Sequence, residues 1–263
     1  MDLQLTGKRA FVSGSTQGIG YAIARALLTE SVSVVINGRS VGRAQDAVRQ
    51  LEAEVPGALV SALVADFADP SQVRRLLDDL GEVDILVNNV GVFELAAFDA
   101  ITDEDWQRYV EVNLMSGVRL SRHVLSGMLA RGWGRIVFVG SESGVNIPAD
   151  MLHYGVTKAG MLALGNGLAK LTRGTEVTVN TILGGPTFSD GVATTVTRIA
   201  DAQGIEPADL KAAIAAGNPT SLLQRFIEPQ EIANLALYLV SPLSSATNGA
   251  ALRADGGVLT TLT

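Results

Sequence analysis

The sequence predicts a doubly wound α/β fold, a mostly parallel seven-stranded sheet with helices on both faces, and three observations point to it. Short β-branched runs alternate with longer amphipathic segments along the chain, the rhythm of repeated βαβ units. The runs are near-continuous in Val, Ile and Leu, as strands covered on both faces must be. A glycine-rich turn follows the first run and leads straight into the first helix, the usual entry to such a sheet.

The elements follow in order. Residues 9–13 read as a strand, with Ala-Phe-Val at its centre, and the helix at 20–30 begins on the last glycine of the turn. A second strand at 32–37 is almost wholly Val and Ile, and Ser40 opens a helix at 41–55. The strand at 59–65 is followed by Asp69-Pro70-Ser71, a start signal for a helix over 71–80. Beyond a strand at 85–88 lies one long helical pattern, 104–130, preceded by acidic residues. A strand at 135–139, a helix at 153–172 and a strand at 177–183 complete the next unit. Pro229 opens the last helix, 229–240, and a strand at 250–253 closes the sheet. Residues 184–219, rich in Gly, Thr and Ala, interrupt the alternation and are expected to form a lid over a pocket at the carboxyl edge. With no linker or repeat, residues 1–263 are expected to form one domain.

Composition narrows the function. A formal charge of −7 leaves no basic stripe for nucleic acid. With no cysteine, disulfides, thiolate nucleophiles and thiolate metal ligands are excluded. The two histidines, His123 and His153, have no partner at metal-ligand spacing, so no metal site is expected. No G-x-S-x-G elbow supports a serine hydrolase. Asp2, Lys8 and Arg9 interrupt the first residues, and no later stretch is long and uncharged enough for a bilayer. A cytoplasmic protein with no membrane partner is the expectation.

The turn Gly14-Ser15-Thr16-Gln17-Gly18-Ile19-Gly20 sits between strand and helix. Glycines there let backbone approach a pyrophosphate, and the helix N-terminus presents free N–H groups and a positive dipole end. This is Rossmann-like dinucleotide chemistry. At the end of the second strand stands Asn37-Gly38-Arg39-Ser40. No carboxylate is available there to accept from a ribose 2′-hydroxyl, whereas the Arg39 guanidinium suits a 2′-phosphate. NADP is therefore the preferred cofactor, with NAD as the other nicotinamide the turn would accept.

Tyr154 and Lys158 are four residues apart on a helical pattern and share one face. Ser141 lies just past the 135–139 strand, at the carboxyl edge where a nicotinamide ring would sit. Hydride transfer to a carbonyl needs a proton donor for the developing alkoxide, and the reverse reaction a base. A free phenol titrates at about 10, so the Lys158 ammonium, aided by the positive nicotinamide ring, is expected to pull Tyr154 down, while Ser141 fixes the substrate oxygen. Glu142 and Glu94 are candidates for the substrate rim. Val145, Ile147, Met151, Leu152, Phe93, Phe188 and the 190–217 excursion are candidate walls.

Taken in order, GSTQGIG at 14–20, Asp66, Asn88-Asn89-Val90-Gly91, Asn113, Ser141, Tyr154-xxx-Lys158, Gly185-Pro186-Thr187 and Asp255-Gly256-Gly257 resemble a classical short-chain dehydrogenase/reductase from end to end. The resemblance implies that Asp66 contacts the adenine, and that Asn89 and Gly91 lie beside the adenosine ribose. It implies that Asn113 holds a helix kink and a water that relays protons from Lys158, and that Lys158 also bonds the nicotinamide ribose. Backbone at Thr187 is implied to meet the carboxamide, and Ser189 to offer a hydroxyl near the pyrophosphate. A homotetramer built through 104–130, 153–172 and the last strand is also implied. The chain departs from the family at Val90, usually Ala, at Gly184, usually Pro, which should loosen the turn, and at Ser189, usually Thr. The expected activity is hydride exchange between nicotinamide and a carbonyl or secondary alcohol such as a 3-oxoacyl thioester, ketone or sugar. A catalytically silent cofactor sensor, or an epimerase or dehydratase that retains its cofactor, remain the alternatives.

Overall fold

β1 (Arg9–Val12) sits near the middle of the sheet because its three inner residues are apolar on both sides. Ala10 and Val12 pack against one helical layer, and Phe11 against the other. The structure is a computed structural model that describes residues 2–262. Around β1 the strands β2 (Ser33–Gly38), β3 (Val60–Val64), β4 (Ile85–Asn88), β5 (Trp133–Val139), β6 (Glu176–Gly184) and β7 (Ala251–Ala254) pair in the order β3-β2-β1-β4-β5-β6-β7. Every pairing is parallel. The chain winds outward from β1 to β3, then returns to β4 on the other side, so the order reverses between β1 and β4. Carboxyl ends part there, which opens a crevice.

On one face lie α1 (Gly18–Thr29) and α9 (Pro229–Val240), with Ile23, Leu27, Ile232 and Leu239 fully buried. α2 (Val41–Glu54) joins that layer through Ala47 and Leu51. The other face is covered by α3 (Pro70–Leu80), α5 (Ser116–Arg131) and α6 (Leu152–Lys170), through Val73, Leu76, Leu120 and Met161. Each such side chain withdrawn from water stabilises the fold by about 1.5–3 kcal/mol. Asp69 caps α3 by accepting from the amides of Ser71 and Gln72.

The structure revises the long helix and the place of Gly184. The helix expected over 104–130 is three segments: α4 (Asp103–Tyr109), a π-helical turn at Val110–Met115, then α5. Thr102 and Asp105 cap α4 reciprocally. Asn113 occupies the π turn, and its amide is spent on another loop. The excursion at 184–219 carries two helices, α7 (Asp190–Gln203) and α8 (Pro207–Ala216). Gly184 ends β6 in register with Ala254 and so belongs to the sheet, not to the turn. Among the described residues no helix is long and apolar enough to cross a membrane.

Candidate active site

At the crevice between β1 and β4, hydrogen bonds fix the glycine-rich turn before any ligand arrives. Asn89 Nδ2 donates to the carbonyls of Ser13 (3.0 Å) and Gly14 (2.8 Å). The Gly14 amide donates to Asn37 Oδ1 at 3.1 Å. Ser15 is fully buried, its hydroxyl donating to the Val12 carbonyl and accepting from the Asn37 amide. Its side chain thus shapes the turn and does not face the crevice. Gly20 is required by close approach: a Cβ there would lie 2.5 Å from Asn89 Nδ2. The amides of Ile19 and Gly20 take no partner among the described residues, and Gln17 gives α1 no side-chain cap. These free N–H groups at a helix start fit a phosphate.

The cleft here, about 760 Å³, is lined by Gly14, Thr16, Gln17, Gly18, Ile19, Arg39, Asp66, Asn89, Gly91 and Ser189 among the predicted residues. Arg43 lines it too. That second cation was missed in the sequence, although it stands one turn after Arg39 at the start of α2. The cleft fits a dinucleotide in size, in its free amides and in its paired guanidiniums. Past Gly91 it meets the other group of residues, for a Cβ on Gly91 would stand 3.5 Å from Asn113 Oδ1 and 3.7 Å from Lys158 Nζ.

Asn113 is fully buried and bound on every side. Its Oδ1 accepts from the Val92 amide (2.8 Å), and its Nδ2 donates to the Val92 carbonyl (3.0 Å) and Thr157 Oγ1 (3.1 Å). It therefore ties the π turn to the loop after β4 and to α6. Ser141 follows β5 and accepts from the Ser143 amide at 3.1 Å, which leaves its hydroxyl proton for another acceptor. Gly144 lets this turn press onto α6, since a Cβ there would lie 2.9 Å from the Lys158 carbonyl carbon. In consequence Ser141 lies against the Tyr154 phenol. Lys158 Nζ donates to the Val139 carbonyl at 2.8 Å and stands 5.6 Å from the Tyr154 ring centre.

Without a nicotinamide beside them, burial governs both the phenol and the ammonium. Burial raises Tyr154 to about 12, the Glu142 charge adds to the rise, and the Ser141 hydroxyl opposes it. Burial also lowers Lys158 to about 8. The groups that shift the phenol in the protein alone are its burial, Ser141 and Glu142, while Lys158 is turned to the Val139 carbonyl.

Thr187 bridges to Ile227, while its own amide takes no partner among the described residues. Phe188 packs edge-on to Phe226 and carries Lys211 over its ring at 3.5 Å, which anchors α8 to the site. Phe93 lies edge-on to Tyr154 at 6.3 Å. Of the two rim carboxylates, Glu94 is exposed and paired with Arg108 at 3.0 Å, whereas Glu142 is partly buried. Asp190, not singled out in the sequence, accepts from the Gly18 amide. His123 is exposed and His153 buried against Tyr109, and no metal-ligand group forms among the described residues.

Comparison with known proteins agrees with this geometry. A family model described as short chain dehydrogenase matches residues 8–199. An uncharacterized oxidoreductase of Bacillus subtilis, YvaG, is 42% identical over 260 residues, 98% of each chain. The D-beta-hydroxybutyrate dehydrogenase of Cupriavidus necator is 32% identical over 257 residues, 96% of this chain and 98% of that one. The L-sorbose reductase of Gluconobacter frateurii, solved with NADPH and L-sorbose, superposes with a TM-score of 0.94 at 32% identity over 100% of both chains. The chain belongs to the short-chain dehydrogenase family and is an oxidoreductase acting on a CH–OH or carbonyl group with a nicotinamide dinucleotide.

Proposed function

We propose that the protein is an NADPH-preferring carbonyl reductase that converts a ketone, sugar carbonyl or 3-oxoacyl thioester to its secondary alcohol, with Tyr154 as the acid. The observation that carries this reading is one continuous cleft. It runs from Arg39 and Arg43 past Gly18 to Gly91, where Lys158 and Asn113 begin. Arg39 and Arg43 hold the 2′-phosphate in this reading, which the NADPH bound to L-sorbose reductase also supports. Asp66 lies at the adenine end, the amides of Ile19 and Gly20 and the Ser189 hydroxyl face the pyrophosphate, and the Thr187 amide meets the carboxamide.

A nicotinamide held in this cleft would supply the hydride for the new C–H bond. Ser141, whose hydroxyl lies against the Tyr154 phenol, turns its proton to the substrate oxygen and fixes its position. Tyr154 gives up its phenolic proton as charge develops on that oxygen, and a phenol at about 12 is fully protonated and ready to do so at neutral pH. Lys158, at about 8, keeps a transferable proton beside it, and Asn113 holds the surrounding turn. The region 184–219 closes over the substrate as a lid on the one domain formed by the chain. Exposed Val110 and Val156, on the helices implied for assembly, are the apolar contacts of a homotetramer.

Initial rates with NADPH and a panel of carbonyl compounds test the reading, with Tyr154→Phe as the control. Turnover should fall by about 100-fold or more in the variant. NADPH binding without turnover would identify a sensor. Turnover that releases no oxidised cofactor would identify an epimerase or dehydratase.

A further inference from the structure

Glu142 follows Ser141 directly and begins the short turn Glu142–Gly144 at the carboxyl end of β5. Its carboxylate is partly buried and fastened at one oxygen only, where the Ser143 hydroxyl donates to Oε1 at 2.7 Å. Oε2 takes no hydrogen bond from the described residues. It is not sealed off either, since it is absent from the buried atoms that lack a partner. No cation is paired with this carboxylate among the described residues, unlike Glu94 with Arg108 or Asp255 with Arg253. Its electrostatic neighbours are the Tyr154 phenol and the Asp255 carboxylate. Both relations are unfavourable, and desolvation together with Asp255 holds the Glu142 carboxyl above its ordinary range.

A charge in this position works against the phenol beside it, because it makes Tyr154 harder to ionise. A partly buried carboxylate with one oxygen held by the protein and the other open can accept a hydrogen bond from a ligand donor that replaces solvent there. We infer that Glu142 is a specificity-determining residue whose open oxygen accepts from a hydroxyl beside the substrate carbonyl, so that the site selects neutral polyhydroxy ketones and rejects 3-oxo acids. This rests on the carbonyl-reductase reading above. A substrate carboxylate placed beside the partly buried Glu142 would face a like charge, which disfavours it. An ammonium substrate would meet the buried Lys158, whose Nζ has only a carbonyl as partner. A neutral hydroxyl avoids both repulsions and can donate to the solvent-reached Oε2.

The test compares kcat/KM with NADPH for a ketohexose, for cyclohexanone and for acetoacetate in the wild type, Glu142→Ala and Glu142→Gln. Glu142→Ala should lower the ketohexose-to-cyclohexanone ratio about tenfold or more, chiefly through KM for the sugar. Glu142→Gln removes the charge, retains an acceptor and keeps the shape. It should hold more of the sugar activity than Glu142→Ala and raise kcat/KM for acetoacetate. Equal losses on all three substrates, or an unchanged ratio with acetoacetate still refused by Glu142→Gln, overturn the inference while leaving the reductase reading intact. Failure of the wild type to reduce any carbonyl overturns that reading and this inference with it. Thermal melts of both variants separate loss of fold from loss of recognition.

Discussion

The Asp190 carboxylate accepts from the Gly18 amide at 2.7 Å, so the first residue of α7 caps α1 from across the crevice. Gln17 provides no side-chain cap there, and the carboxylate sits at the positive end of the helix, where a pyrophosphate would also be drawn. The two anions compete for the same small region. Asp190→Ala is therefore expected to tighten NADPH binding about three- to tenfold, the scale of one charge-assisted hydrogen bond relieved of a rival. Fluorescence titration of NADPH measures it. Weaker binding in the variant would mean that Asp190 holds the excursion over the cofactor and does not compete with it.

Arg39 and Arg43 both line the cleft beside Gly38, and each supplies planar donors suited to a phosphate. Replacing either by Ala should raise KM for NADPH about tenfold or more, the loss expected when a hydrogen bond to a charged group is removed. KM for NADH should stay within about twofold, since that cofactor has no 2′-phosphate to lose. Rates with both cofactors decide the matter, and a parallel rise for NADH would remove these arginines from 2′-phosphate recognition.

Most of the fold was legible because parallel strands must be apolar on both faces, so β1, β4 and β5 announce themselves by composition alone. The Tyr154–Lys158 pair was legible for a similar reason, as four-residue spacing on a helix fixes a shared face. What the sequence concealed were relations across long separations. Nothing local to Asp190 says that it reaches Gly18. Arg43 looks like any exposed helix residue until β2 and α2 are assembled around the cleft. The commitment of the buried Ser15 hydroxyl to Val12 and Asn37 is likewise invisible in the turn's spacing. The burial of Tyr154 and Lys158, which raises the one and lowers the other in the protein alone, is not visible in their spacing either.

Gly20 offers a test of the turn itself. A Cβ there would approach Asn89 Nδ2 and the Gly14 carbonyl to 2.5 Å and Ser15 Cα to 2.9 Å. Backbone cannot retreat as a flexible side chain can, so Gly20→Ala should destabilise the fold by about 1–3 kcal/mol and weaken NADPH binding. Gly167, exposed on α6 with nothing within 4 Å of its Cβ position, is the matched control. Gly167→Ala should be neutral or stabilising by up to about 1 kcal/mol, as expected for Ala in a helix interior. Melting temperatures of the two variants should move in opposite directions or, at the least, differ clearly.

Lys158 sets the expected pH dependence. Burial lowers its ammonium to about 8, while Tyr154 stands at about 12. A lowered value on a basic group means that the proton is lost earlier as pH rises, so the ammonium is intact below about 7 and largely gone above about 9. Reduction consumes a proton and needs the acid form, hence kcat/KM for the carbonyl should be flat at low pH and fall as pH passes about 8. Oxidation of the alcohol needs the opposite form and should rise over the same interval. Lys158→Arg keeps the positive charge to much higher pH, so any activity it retains should lose this break. A wild-type reduction profile that stays level through pH 9 and breaks only near the ordinary lysine value would show that burial does not tune Lys158 in the working enzyme.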